Sequence, residues 1–260
     1  MFLLKRRIEQ SVLGLLTSRR SIRRFRKSTI SEEVLQMIVE AGQSAPCYFQ
    51  AYSVIWIKSN ELLENTFDIC GTEAIRQAAA VLLVCLDFNK LEKYAESVTQ
   101  EHFLKMDVYP AEALLSIFET GLMVENMVTA SEALGYGTLL LDCGMYECEK
   151  FVEMLKLPHG VVPIAVLLIG EKDESPPPRP RWPIHNVLHI DGYNPITREE
   201  IQKYLEYADK TLAAEGYLLK YANFKGSYVE YLTERLSANK ELKQSYNALS
   251  SFLRRHGLKI

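Results

Sequence analysis

The stretch AEALLSIFETGLMVENMVTASEALGYGTLLLDCG, residues 111–144, reads as a long helix, a stop and a strand, and the fold follows from that order. Leu114, Leu115, Phe118, Leu122, Met123, Met127 and Leu134 spread apolar surface around much of the helix. A helix so widely apolar is buried, often between subunits. Gly121 sits inside it at a cost of about 1 kcal/mol relative to Ala, which predicts a close helix approach there. Gly135 supplies the C-cap, and residues 138–142 read as a strand. The Gly135–Tyr136–Gly137 triplet is not a dinucleotide fingerprint. It leaves a helix and enters a strand, the reverse of what phosphate binding at a helix N-terminus requires.

Outward from this stretch, residues 9–17 read as a helix. A second follows the cap residue Ser31 and carries Val34, Leu35, Ile38 and Val39 on one face. Residues 53–57 read as a strand, 61–69 as a short helix ending near Gly71, and 81–88 as a buried strand. Residues 90–110 look irregular. Downstream come a helix over 147–155 and a strong strand over 163–170. The segment SPPPRPRWP at 175–183 can be neither helix nor interior strand, and only helices and turns follow from Thr197. Most connections are irregular, so the pattern does not require a doubly wound nucleotide fold. It predicts an α+β fold, a mixed sheet packed by helices.

With 260 residues and 48% apolar content, the chain can form one core plus an appended arm. We place the boundary at residue 195, with 196–260 as a helical arm of the same structural domain. Net charge is −3, yet residues 1–30 hold nine Lys or Arg against one Glu, a local excess of +8. Such a block serves as a solvated face, a nucleic-acid patch or a cradle for phosphorylated ligands. No aromatic residues interleave it into a groove, so nucleic acid is not the expected partner. The five cysteines are odd in number, scattered and without a CxxC pair, which reads as reduced thiols and a cytoplasmic address. The start MFLLKRR lacks the order of a secretory signal, and the longest apolar runs fall short of the ~20 residues a span needs. The expectation is a soluble protein, with no membrane partner.

RRSIRRF at residues 19–25 sets guanidiniums around a hydroxyl, with Ile22 and Phe25 available as core anchors. Guanidinium forks suit phosphate, and a cation near a flavin's N1/O2 edge would stabilise the reduced anion. A solvated basic turn is the alternative. Arg179-Pro180-Arg181, inside the proline cluster, is a second basic element or a plain linker. SAPCYFQ at 44–50 follows a helix and precedes a strand, a usual place for a ligand loop. Cys47 within it has no nearby His and reads as a packed or ligand-lining thiol. His185 and His189 stand four apart without a metal motif and read as surface or packing residues, so no metal is expected. There is no Ser-His-Asp pattern, P-loop or kinase set.

Together these residues resemble the nitroreductase family, in its branch of larger oxygen-insensitive nitroreductases and NADPH–flavin oxidoreductases. Arg19, Arg20, Ser21 and Arg23 stand where the family has His-Arg-Ser-x-Arg. Ala45, Pro46 and Cys47 before Gln50 match its serine-rich loop. Cys70, Gly71 and Thr72, followed by Gln77, match its Gly-Gly-Gln turn. Residues 130–143 match its AAExLGLGxxxIGG stretch, with Asp142 and Cys143 at the two glycines, and Arg179-Pro180-Arg181 matches its Lys-Pro-Arg. The resemblance implies a mixed, mostly antiparallel sheet flanked by helices in a domain-swapped homodimer, with one FMN at each end of the interface. It places Arg19, Arg20, Ser21, Arg23, Ala45, Pro46, Cys47, Gln50, Thr72, Leu140, Leu141, Asp142, Cys143, Gly144, Arg179 and Arg181 at the cofactor. Lys220 and Lys225 are the arm's substitutes for residues that hold the nicotinamide donor. NADPH or NADH would reduce the flavin, and a nitroaromatic, quinone or free flavin would reoxidise it in a ping-pong cycle. The cofactor carries that chemistry, so no side chain is named as catalytic. The rival reading is a flavin-binding carrier or sensor without turnover, to which Asp142 and Cys143 point.

Overall fold

The structure, a computed structural model, describes residues 12–99, 110–237, 240–256 and 258. The opening MFLLKRR and residues 100–109 lie outside them. Contacts divide the chain into one unit of Met1–Pro176 with Asn247–Ile260 and another of Pro177–Tyr246.

The first unit is organised by five strands: β1 (Phe25–Arg26), β2 (Tyr52–Ile57), β3 (Ala80–Asp87), β4 (Gly137–Leu141) and β5 (Val161–Lys172). The long β5 is central. It pairs with β3 along one edge and with β4 and then β1 along the other, while β2 closes the far side of β3. These strand pairings are antiparallel and the isolated bridge from Ser21 to Thr138 of β4 is parallel, which gives the mixed, mostly antiparallel sheet expected. All eight residues of β3 are buried. Val81, Leu83 and Cys85 pack with Ile75, Phe151 and Leu168 on one face; Ala80, Leu82 and Val84 pack with Ile38, Met123 and Met127 on the other. This two-residue alternation between two covered faces explains why the strand reads as one continuous apolar run.

The helices are α1 (Val12–Ser18), α2 (Glu32–Gln43), α3 (Asn60–Cys70), α4 (Ala74–Gln77), α5 (Phe88–Thr99), α6 (Pro110–Ala133), α7 (Cys143–Tyr146) and α8 (Cys148–Leu155). Ser31 caps α2, its hydroxyl accepting from the Val34 N–H at 3.3 Å. Gly71 ends α3 at φ 67°, where a glycine carries no Cβ penalty. The irregular reading of residues 90–110 is corrected over α5. Leu91, Tyr94, Ala95 and Val98 have helical spacing, diluted in the sequence by Lys90, Glu92, Lys93 and Glu96. The long helix α6 is only half covered. Met123 and Met127 are buried, but Leu114, Leu115 and Phe118 are 57, 44 and 66% exposed. Among the described residues no atom lies within 4 Å of where a Cβ on Gly121 would stand, so none of their helices makes the close approach expected there.

In the second unit, a short 3-10 turn (Ile184–Asn186) precedes α9 (Arg198–Glu215), α10 (Tyr217–Ala222) and α11 (Tyr228–Leu236). Capping boxes open α9 and α11, pairing Thr197 with Glu200 and Ser227 with Glu230. Hydrogen bonds from Thr197 hold the Glu200 carboxyl down at about 2. The division at Pro177 lies upstream of the expected boundary at 195 because Trp182 stacks on Tyr204 at 3.7 Å and Arg179 pairs with Glu215. Helix α12 (Lys240–Arg255) returns the chain to the first unit, where Phe252 and Leu258 are buried with Ala51, Leu86 and Phe88.

Candidate functional site

Ser21 forms a parallel bridge with Thr138, and the Ile22 N–H donates to the Thr138 carbonyl at 2.9 Å. This lays the arginine segment along the start of β4, whose far end runs into Leu140, Leu141, Asp142, Cys143 and Gly144. Ile22 and Phe25 are 2 and 3% exposed, the core anchors expected from their spacing. Gln77 accepts from the Phe25 N–H at 3.1 Å, and Glu174 accepts from the Arg23 N–H at 2.5 Å.

The guanidiniums separate into two groups. Arg24 and Arg26 both turn to Asp173, on the exposed side. Arg19 and Arg20 form no ion pair among the described residues; Arg20 donates to the Thr17 and Arg19 carbonyls. Arg23 donates to the Ser21 carbonyl at 3.4 Å. Arg19 and Arg20 are therefore the motif's cations without a described carboxylate partner.

A disulfide joins Cys70 to Cys143 across 73 residues. It corrects the expectation that all five cysteines are thiols and removes the argument from thiols to a cytoplasmic address. Neither spacing nor composition signals it, because the two residues meet only when the turn after α3 packs beside α7. The bond brings Gly71 and Thr72 to the segment 140–144. Gly144 is needed there for packing, since a Cβ would stand 2.7 Å from the Ala165 nitrogen of β5. Leu140 is 52% exposed and Asp142 is exposed.

Ala45, Pro46, Cys47 and Gln50 belong to a loop held on α6. Glu119, 3% exposed, accepts from the main-chain N–H of Tyr48 at 2.6 Å, Phe49 at 2.8 Å and Ala51 at 2.7 Å. Gln50 lies between the last two at φ 53°, a left-handed conformation uncommon outside glycine and often found at functional sites. Cys47 is exposed and Ala45 buried. No hydrogen bond among the described residues ties this loop to residues 19–23 or 140–144. Glu119 was missed by sequence reading. Its signal was a carboxylate, with Ser116 and Thr120, within the apolar stretch from Ala113 to Met123.

A cavity of about 770 Å³ lies beside the same loop, lined by Tyr48, Gln50, Tyr52, Trp56, Lys90 and Tyr94 among others. It includes none of residues 19–23 or 140–144. Of the cofactor residues expected from the sequence, Gln50 lines this cavity, while Arg19 to Arg23 and Leu140 to Gly144 lie outside it.

In the second unit, Arg179 lies 3.9 Å over the Tyr217 ring and gives both terminal nitrogens to Glu215. It already has an anionic partner, whereas Arg181 is exposed and donates to the Pro180 carbonyl. Lys220 and Lys225 are exposed. His185 pairs with Glu200, and among the described residues no three His, Cys, Asp or Glu side chains cluster as a metal would need. No helix of the described residues is long and apolar enough to cross a membrane.

Comparison with known proteins identifies the family. The family model described as "Nitroreductase family" matches residues 16–171, which contain the arginine segment, the turn after α3 and all of β4. An "NADPH-dependent oxidoreductase" of Staphylococcus haemolyticus is 30% identical over 203 residues, 75% of this chain and 80% of that protein. A namesake from Staphylococcus saprophyticus is 29% identical over 214 residues, 79% of this chain and 83% of that one. Among solved structures, Bacillus megaterium NfrA1 superposes with a TM-score of 0.81 at 26% identity, covering 96% of this chain and 99% of its own. An NADPH:FMN oxidoreductase from Vibrio harveyi, complexed with NAD+, shares the fold with a TM-score of 0.78 at 23% identity, covering 95 and 98%. The family match spans the elements that build the site, and the chain therefore belongs to the nitroreductase family, among its larger nitroreductase and flavin-reductase members.

Proposed function

We propose that the protein is an FMN-dependent NAD(P)H oxidoreductase, active as a homodimer, that passes electrons to nitroaromatics, quinones or free flavins by a ping-pong mechanism. The observation that carries the reading is the Ser21–Thr138 bridge, which lays Arg19, Arg20 and Arg23 along the strand leading to residues 140–144. An anionic, planar cofactor fits such a place. Arg19 and Arg20 are unpaired with any described carboxylate, and the strand end is exposed. FMN bound there would supply a two-electron acceptor and donor.

The residues of the chain bind and orient. Arg19 and Arg20 would hold the phosphate; Arg179, in the second unit, is already engaged by Glu215. Arg23 would bring positive charge to the bound flavin, which favours its taking up electrons. Thr72 and the 140–144 main chain would border it, and the Glu119-held loop would present residues 45–50. No side-chain acid or base is required.

The dimer rests on the uncovered face of α6. Leu114, Leu115 and Phe118 are exposed there, and Gly121 leaves room for another backbone to approach. A second copy packed there would cover that face and complete the open cofactor surface; the arm expected over residues 196–260 is shorter by its end, because Phe252 and Leu258 are buried in the chain's own first unit.

The decisive experiment is an anaerobic absorbance titration of purified protein with NADH and NADPH in parallel, with mass measured by light scattering. Bleaching of one flavin per chain in a dimer is expected. A colourless monomer overturns the proposal; a yellow protein that neither nucleotide bleaches assigns the carrier or sensor role instead.

A further inference from the structure

We infer that Cys70 and Cys143 form a reversible thiol–disulfide centre that tethers two walls of the candidate cofactor site and is opened by dithiol reductants. The effect on cofactor rests on the functional reading above; the thiol chemistry does not.

Position is the first argument. Cys70 is the last residue of α3 and is followed by the Gly71–Thr72 turn; Cys143 opens α7 directly after Asp142. No hydrogen bond among the described residues joins residues 70–73 to residues 142–146. The two segments touch, and the disulfide is the covalent tie between them. Opening it frees Thr72 from the strand end that carries Leu141, Asp142 and Gly144.

Selectivity is the second. Both half-cystines are only half-buried, at the margin of the cluster containing Ile75, Leu83, Phe151 and Leu168. Cys85 and Cys148 are 0 and 3% exposed, and burial pushes their thiols up to about 12 and about 11, leaving them protonated and inert. Neither core thiol is therefore available as a thiolate to exchange with this pair.

Need is the third. Obligatory staples are found where a small domain cannot bury enough core. Here three apolar clusters already surround the sheet, so the bond is not required to hold the fold.

The chemistry balances with a dithiol. One thiolate of the reductant attacks Sγ of Cys70 or Cys143, forming a mixed disulfide and expelling the other sulfur as thiolate, which takes a proton. The second thiol of the reductant then displaces the remaining protein sulfur. Two electrons and two protons pass to the protein, giving two cysteine thiols and an oxidised, cyclic disulfide.

The test compares air-prepared protein with protein treated with dithiothreitol while folded. Each is blocked with N-ethylmaleimide under denaturing conditions and mapped by mass. Three labels before treatment and five after are expected, with Cys70 and Cys143 gaining label together and losing it on reoxidation. Hydrogen exchange at residues 71–73 and 142–146 should rise at least threefold on reduction, and FMN should bind at least fivefold more weakly. The Cys70→Ser/Cys143→Ser double variant should match reduced protein in both readouts and ignore dithiothreitol. Label on both cysteines before treatment overturns the proposal, as does a pair that resists reduction until the protein is unfolded. Unchanged exchange in the reduced form overturns the tether. FMN affinity equal in the two forms overturns control of the cofactor. Absence of FMN binding in both forms refutes the functional reading alone, since label and exchange decide the centre without it.

Discussion

Glu119→Gln is the sharpest test of how the candidate site is held. The carboxylate is 3% exposed and divides its work: one oxygen accepts from Tyr48 and Phe49, the other from Ala51. A glutamine has one carbonyl oxygen, which can keep the Tyr48–Phe49 pair. Its NH2 then faces the Ala51 N–H, donor against donor. Two bonds lose their charge at roughly 1 kcal/mol each, and a buried N–H without a partner costs about 1–3 kcal/mol, so the sum is about 3–5 kcal/mol. For a chain of this size each kcal/mol moves the melting temperature by about 2–4 °C, so a fall of about 6–20 °C is expected. Scanning calorimetry measures it, with Glu153→Gln, exposed on α8, as a control within about 0.5 kcal/mol of wild type. Hydrogen exchange should show the Tyr48, Phe49 and Ala51 amides losing protection together. A melting temperature within about 2 °C of wild type, with those amides still protected, would refute the reasoning.

Three further outcomes are expected. Arg20→Ala should weaken FMN binding about ten- to hundredfold, the value of a charged hydrogen bond, while Arg179→Ala should lower the urea midpoint by exposing a poorly solvated Glu215; equal FMN loss in both would return Arg179 to the phosphate. Arg23→Gln should lower the flavin midpoint potential by tens of millivolts, since about 1.4 kcal/mol is about 30 mV for two electrons; a dye-equilibrated titration showing FMN loss at unchanged potential would make Arg23 a phosphate ligand. Burial, then His159, holds the His256 imidazole below 6.5, and its Nδ1 accepts from the Gly160 N–H at 3.2 Å. The unfolded chain thus takes up this proton first, so stability is full above pH 6.5 and falls as pH drops through the lower folded value; urea midpoints from pH 7.5 to 5 should decline less in His256→Asn, and parallel curves would discount the residue.

Much of the architecture was legible because it depends on local periodicity and caps. The unbroken apolar run of β3, the Ser31 cap, the Gly71 stop and the passage from α6 through Gly135 into β4 all leave their marks within a few residues. Helix α5 left the same mark, but its charged neighbours obscured it. The arginine motif was legible as a candidate because its residue types are unusual, and Ile22 and Phe25 as its anchors because they alternate with charge.

The sequence by itself determined the α+β class, the places of β2 to β5 and the family, since these follow from pattern and order along the chain; β1, two residues long, carries too little pattern to read. Only the tertiary structure decided which partners each group takes. It turned Arg24 and Arg26 to Asp173 and Arg179 to Glu215, made Glu119 the support of a loop some seventy residues away, joined Cys70 to Cys143, and left one face of α6 uncovered. Hydrogen bonds, ion pairs and disulfides act over a few ångströms of space regardless of separation along the chain. A sequence records which groups can pair, and the packed sheet and helices bring particular ones within reach.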